Sequence, residues 1–252
     1  MATKRQTVLI TGASAGLGAE MARQFAAKGH DLALCARRTT KLASLKADIC
    51  AAHPARRVEI RALDVNDDDQ VFEVFGAFKA DFGSIDRVII NAGIGKGAPL
   101  GKGDWAANRE TAMTNFVAAL AQSEAAMEIF REQNAGHFVM ISSMSAMRGM
   151  PKAMTTYAAT KAGAAHLAEG LRYELHGKPI KVTVVYPGYI ASEMNDGAAG
   201  KTPLMVSTEK GVRAMVDAIE KEKDSACVPA LPWALLSKLM KHAPIPVLKK
   251  LM

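Results

Sequence analysis

A chain of 252 residues, 49% hydrophobic and 23% charged, is long enough for one large α/β domain with a substantial core, which excludes a disordered protein. No apolar run reaches the ~18 residues of a membrane-spanning helix, and the start MATKRQTVLITG lacks the apolar core and cleavage site of a secretory signal, so a cytoplasmic protein is expected. The net charge of +7 suits an enzyme of anionic ligands as well as a nucleic-acid binder and decides neither. Cys35, Cys50 and Cys227 are an odd, scattered set, which argues against a disulfide framework, and no cysteine or histidine pair has zinc-ligand spacing, so no metal is expected.

TVLITG (7–12) reads as a buried strand and GLGAEMARQFAAKG (16–29) as the first helix. The alternation then repeats: strand 31–38, helix 40–52, strand 57–65, helix 67–82, strand 86–93, and a long helix over 109–133. Strand 136–143 precedes a helix reaching 176, strand 180–188 a helix at 208–222, and SACVPA (225–230) is the last strand. Strands separated by single helices imply right-handed crossovers and a parallel sheet covered on both faces. Their continuous apolar character agrees with that burial. The expected fold class is therefore α/β, doubly wound, with one domain over 1–230. Ligands of such folds bind beyond the carboxyl ends of the strands, and unusual residues collect there.

TGASAGLG (11–18) follows the first strand and opens the first helix. Gly12, Gly16 and Gly18 permit a tight turn and close approach of a pyrophosphate, which the helix N-terminus favours, and Ser14 and Leu17 belong to the same turn. The second strand ends in Arg37 and Arg38 where an NAD-binding fold carries an acid. An arginine there fits a 2′-phosphate, so NADP(H) is the expected cofactor, with a hydroxyl from Ser14. A solvated basic pair is the plain alternative, less so for Arg37 than for Arg38. Asp64, followed by Val65, ends the third strand and suits an adenine amino group or a helix N-cap equally. Asn91 can bridge backbone to backbone at the fourth strand end, while Ala92 and Gly93 leave room for a flat ligand, although Asn and Gly also serve ordinary turns.

TTYAATKAG (155–163) sets Tyr157 and Lys161 one helical turn apart. A free tyrosine, of pKa about 10, is a poor acid near neutrality. A nearby ammonium and the helix start both favour the phenolate, so the pair is expected to form a proton donor and acceptor rather than a surface pair. Ser143, at the end of the fifth strand, can hold a substrate carbonyl oxygen beside the phenol.

TGASAGLG, NAG, YAATK and PG, in this order over about residues 5–230, resemble the short-chain dehydrogenase/reductase family. The resemblance implies a Rossmann fold with a seven-stranded parallel sheet and hydride transfer at a carbonyl or alcohol carbon. It makes Tyr157 the acid/base, has Lys161 tune it and hold the nicotinamide ribose, and has Ser143 position the substrate. It matches Asn115 to a residue that keeps a water in a proton relay, and places Pro187, Gly188 and Ile190 beside the nicotinamide, with Ser192 where a threonine is usual. The family suggests a homodimer or homotetramer. Thirteen residues separate Ser143 from Tyr157 where the family has twelve; the extra one falls in PKAMTT (151–156), and Ser145 is a less well placed alternative to Ser143.

Residues 193–208 are expected to form a flap over the substrate. Met144, Met147, Met150, Met154, Met194 and Met205 suit either a bulky, lipid-like carbonyl or alcohol substrate or simple core packing. Residues 231–252 form an amphipathic basic arm, broken at Pro244 and Pro246. It is expected to pack on a neighbouring subunit or beside the pocket, in preference to an anionic membrane surface. A catalytically silent nucleotide sensor or scaffold is the alternative to an enzyme, and the complete Asn115, Ser143, Tyr157 and Lys161 set speaks against it. Charge alone suggests nucleic acid; without an aromatic basic stripe none is expected.

Overall fold

The computed structural model describes residues 5–194 and 204–251. Seven strands form one parallel sheet: β1 (Thr7–Thr11), β2 (Asp31–Ala36), β3 (Val58–Ala62), β4 (Arg87–Ile90), β5 (Gly136–Ile141), β6 (Ile180–Pro187) and β7 (Ser225–Val228). Their order is β3-β2-β1-β4-β5-β6-β7. Leu9 of β1 pairs with Ala33 on one side and Val88 on the other, so the strand order reverses at β1/β4. A doubly wound sheet opens a ligand crevice at that reversal.

Each strand alternates its side chains between two apolar layers, because successive residues point to opposite faces. Val8 and Ile10 face α1 (Gly16–Ala27), α2 (Thr39–Ala52) and α7 (Thr208–Glu220), whose Phe25, Leu42 and Met215 are fully buried. Leu9 and Val88 face α3 (Asp68–Phe82), α5 (Ala118–Gln133) and α6 (Met154–Glu174), where Phe75, Phe78 and Phe130 fill the space.

The long helix expected over 109–133 begins earlier. Asp104 caps α4 (Trp105–Ala112) by accepting from Ala107 N at 3.1 Å, and a π turn at Met113–Val117 joins it to α5. The turn widens the helix at Asn115; such bulges recur at functional sites. The extra residue between Ser143 and Tyr157 is absorbed just before α6, where Lys152 takes a left-handed φ of 59°.

The C-terminal arm forms α8 (Ala230–His242) and α9 (Ile245–Leu251), parted at Ala243 and Pro244, while Pro246 falls within the first turn of α9. Trp233 anchors it: the indole is buried against Gly188 and meets Tyr189 edge to face at 5.4 Å. Leu235 and Leu239, one helical turn apart, are exposed on α8, as is Leu231, whose extended backbone (φ −104°, ψ 135°) precedes the regular helix. The centre of the expected flap, 195–203, lies outside the described residues. Among the described residues no helix is long and apolar enough to cross a membrane, and no group of three His, Cys, Asp or Glu is placed to hold a metal.

Candidate active site

The glycine turn is built by its own backbone. Gly12 and Gly16 sit at φ of 65° and 54°, a region L side chains disfavour. A Cβ on Gly18 would come within 2.4 Å of Gly12 O, so the turn closes only with glycine there. Ala15 precedes α1 with no side-chain cap, and the first turn holds no acid, leaving its N–H groups to an anion. Leu17 is half-buried beside the α1 layer.

Asn91 bridges the reversal point as expected of it. Its Nδ2 donates to Thr11 O at 2.9 Å, while Thr11 Oγ1 accepts from Asn91 N at 3.1 Å and Ala92 N at 3.2 Å. Thr11, which sequence reasoning passed over, therefore fixes the fourth strand end. A Cβ on Gly93 would lie 3.1 Å from Asn115 Oδ1 and 3.2 Å from Lys161 Nζ, so this glycine makes room for both.

Asn115 is buried in the π turn, and its amide clamps the Ile94 backbone, accepting from Ile94 N at 2.8 Å and donating to Ile94 O at 2.9 Å. Lys161, also buried, donates from Nζ to Ile141 O at 3.0 Å, and Ser142 Oγ bonds to Lys161 O at 2.7 Å. The ammonium is thus held at the end of β5, 6.0 Å from the centre of the Tyr157 ring. Ser143 interacts with the phenol. Ser145 Oγ, the alternative hydroxyl, is buried with no partner among the described residues.

The electrostatics correct one expectation. Tyr157 is not made more acidic: burial pushes its pKa up, and the Ser143 contact only partly opposes that. Burial also pulls Lys161 down, to about 8. Desolvation disfavours both charged forms.

At the second strand end the two arginines differ in their contacts. Arg38 donates from Nε to Ser14 Oγ at 3.1 Å and from Nη1 to Glu193 Oε2 at 2.8 Å. The Arg37 side chain is exposed and makes no hydrogen bond or ion pair with a described residue. Arg37 is the last residue before the cap of α2 and points out of the cluster. Lys41, one turn after the cap, joins it by donating to Glu193 Oε1 at 2.7 Å. A basic residue three after Arg38 was the available signal. Asp64 is not the cap of α3: that is Asp67, which accepts from Gln70 N at 3.1 Å. Asp64 instead turns on itself, accepting from Asn66 N at 3.1 Å, and Val65 is buried.

Pro187 ends β6 and Gly188 follows it, with Gly188 N bonded to Val228 O at 2.9 Å. The Ile190 side chain packs into the α7 layer against Gly211, so it turns away from the groove. Ser192 stands across from the glycine turn, its Cβ 3.5 Å from where a Cβ on Gly16 would be.

The sequence profile described as short chain dehydrogenase matches residues 6–202. The chain belongs to the short-chain dehydrogenase family. An uncharacterized oxidoreductase of Mycobacterium tuberculosis is 52% identical over 236 residues, covering 94% of this chain and 93% of that one. The 11-beta-hydroxysteroid dehydrogenase 1A of Arabidopsis thaliana is 32% identical over 207 residues, 81% of this chain and 58% of its own length. A short-chain dehydrogenase from Sphingobium yanoikuyae, solved in complex with NADPH, superposes with a TM-score of 0.82 at 28% identity, covering 97% of this chain and 95% of the other. This short-chain dehydrogenase is therefore an oxidoreductase by family, with the Rossmann fold of that family.

Proposed function

We propose that this chain is an NADP(H)-dependent oxidoreductase that reduces a carbonyl, or oxidises the corresponding alcohol, with Tyr157 as acid/base. The observation that carries the reading is the meeting of Tyr157, Lys161, Ser143 and Asn115 beyond β4 and β5, beside an uncapped helix N-terminus and a cationic second strand end.

The donor set fits a phosphorylated dinucleotide. Gly12, Gly16, Leu17 and Gly18 with the first N–H groups of α1 suit a pyrophosphate. Ser14 and Arg38 suit a 2′-phosphate, which an acid there would repel. Asp64 and Val65 would border the adenine, Asn91, Ala92 and Gly93 the floor of the groove, and Pro187, Gly188, Ile190 by its backbone and Ser192 the nicotinamide end. When bound, the reduced nicotinamide supplies the hydride.

The remaining chemistry belongs to this chain. Burial keeps the Tyr157 proton in place at neutral pH, which suits donation to a carbonyl oxygen whose charge is developing. Ser143 orients that oxygen. Lys161, mostly charged at pH 7, sits where its ammonium can hold a ribose hydroxyl and stabilise the phenolate left behind. The Asn115 amide is occupied by Ile94, so a relay water would be held by the π-turn backbone.

A bulky apolar substrate is proposed, because Met194 lies over Gly95 and Met147 and Met150 stay partly exposed nearby, whereas Met144 is core. One relative is named for a hydroxysteroid. We further propose a cytoplasmic homodimer or homotetramer, with the exposed leucines of α8 as a contact between copies and an anionic membrane as their less favoured partner. The test is NADPH oxidation over a panel of small polar and lipid-like ketones, with NADH alongside and Tyr157→Phe as control. Turnover with NADPH that vanishes in the variant is expected. Full activity of Tyr157→Phe would overturn the catalytic assignment, and preference for small polar ketones the substrate class.

A further inference from the structure

The cationic cluster at the second strand end already holds an anion of the chain's own. Arg38 and Lys41 come from the β2–α2 connection, and Glu193 from the segment after β6, 155 positions from Arg38. Each carboxylate oxygen takes one cation: Oε2 accepts from Arg38 Nη1 at 2.8 Å and Oε1 from Lys41 Nζ at 2.7 Å. Ser14 completes the ring through Arg38 Nε. A guanidinium, an ammonium and a hydroxyl converging on one point form a donor set for a phosphate monoester. A carboxylate with two oxygens mimics two of that group's three.

The bridge also spans open space. A cavity of about 430 Å³ lies on its glycine-turn side, lined by Ser14, Gly16, Ser192 and Glu193, and another of about 290 Å³ on its α2 side, lined by Ser14, Lys41 and Ser44. Both ion pairs are about half exposed, 48–49% for each partner. Such pairs are weak and exchangeable. Of the other carboxylates lining these cavities, Asp48 is paired with Arg23 and Glu20 accepts from Gln24 Nε2 at 2.8 Å.

Resting on the NADP(H) reading, we propose that Glu193 is an intramolecular competitor for the 2′-phosphate subsite, and that Lys41 is the second cation of that subsite. A ligand carrying the 2′-phosphate replaces the carboxylate on both cations. A ligand with a free 2′-hydroxyl offers them no charge in exchange and leaves Glu193 where it is. The displaced carboxylate releases residues 193–194, and Met194 lies over Gly95 beside the catalytic groups. Occupancy of the phosphate subsite is thereby linked to the chain over the substrate side, and by linkage a substrate that displaces Met194 would tighten the phosphate.

The test measures calorimetric binding of 2′,5′-ADP and 5′-AMP to the full chain, the Glu193→Gln variant and the Lys41→Met variant. Glu193→Gln should tighten 2′,5′-ADP about three- to tenfold, the range for two exposed ion pairs, and change 5′-AMP less than about twofold. Lys41→Met should weaken 2′,5′-ADP alone. If the unaltered chain prefers 2′,5′-ADP but Glu193→Gln leaves it unchanged, or tightens both probes equally, the competitor is refuted and the cofactor reading stands. If the unaltered chain binds both probes alike and Lys41→Met does nothing, both fall together.

Discussion

The two ends of the sheet bury polar side chains for opposite ends. At the carboxyl ends, Lys161 and Asn115 are buried, and Tyr157 and Ser143 are half-buried. At the amino ends lies a second buried set that faces no groove. Arg87, 1% exposed, donates from Nε to His137 Nδ1 at 2.9 Å and pairs with Glu220. His137 Nε2 then donates to Thr183 Oγ1 at 2.8 Å, which fixes its neutral form. His30 links the backbone of Arg5 at 2.5 Å to Glu220 at 3.4 Å, and Arg5 Nε bonds to Glu222 at 2.9 Å. Burial raises the Glu220 carboxyl, but the His30 and Arg87 contacts outweigh it and hold the pKa at about 2. The lower set closes on itself and ties β1, β4 and β5 to the end of α7. The upper set leaves charge and hydroxyl unspent. Burial of polar groups alone thus marks no site; incomplete pairing beside an open groove does.

Substitutions can break this contrast. Tyr157→Phe should reduce kcat about a thousandfold, the scale of a lost general acid, with the melting temperature held within about 2 °C. Lys161→Met should cost about a hundredfold in kcat, yet leave stability equal or higher, because the folded chain bears a desolvated ammonium below pH 8. Glu220→Ala should do the reverse. It strands the Arg87 guanidinium at a cost of about 3 kcal/mol, a fall of roughly 6–12 °C in melting temperature, with kcat little changed. Loss of activity without loss of stability in that variant would erase the distinction between the two ends.

Acid should act first at the lower end. Burial, then Arg87 and Arg5, hold His137 well below its ordinary 6.5, so the unfolded chain takes up a proton that the folded chain refuses. Stability therefore declines as pH falls below about 6.5, by up to ~1.4 kcal/mol per pH unit. Glu220, depressed from 4.5 to about 2, contributes stability above 4.5 that is lost as pH falls toward 2. Denaturant titrations from pH 8 to pH 3 should show both stages, and His137→Gln should remove the first. The smallest effect sharpens the second strand end: Arg38→Ala should weaken 2′,5′-ADP about tenfold and Arg37→Ala less than about twofold.

Much of the fold was legible because the strands are short apolar runs between helical ones, each bounded by glycine or a cap. The π turn was not, since MTNFV (113–117) continues the helical pattern without a break. Its departure comes from Asn115 bonding both Ile94 backbone groups, a contact across 21 positions. The lower network was equally hidden: His30 and His137 sit in no recognisable spacing, because partners as distant as Glu220 leave no local pattern. Sequence favoured Arg37 over Arg38 as the anion-binding arginine, whereas in the fold it is Arg38 that meets Ser14 and Glu193, partners that come together only through the tertiary structure.

By itself the sequence determined the alternating α/β order, the glycines of the first turn and the one-turn spacing of Tyr157 and Lys161, since these follow from periodicity and local backbone sterics. Only the tertiary structure decided how much charge those groups keep and what opposes the cations of the second strand end. Desolvation and ion pairing depend on neighbours that meet through the sheet and not along the chain.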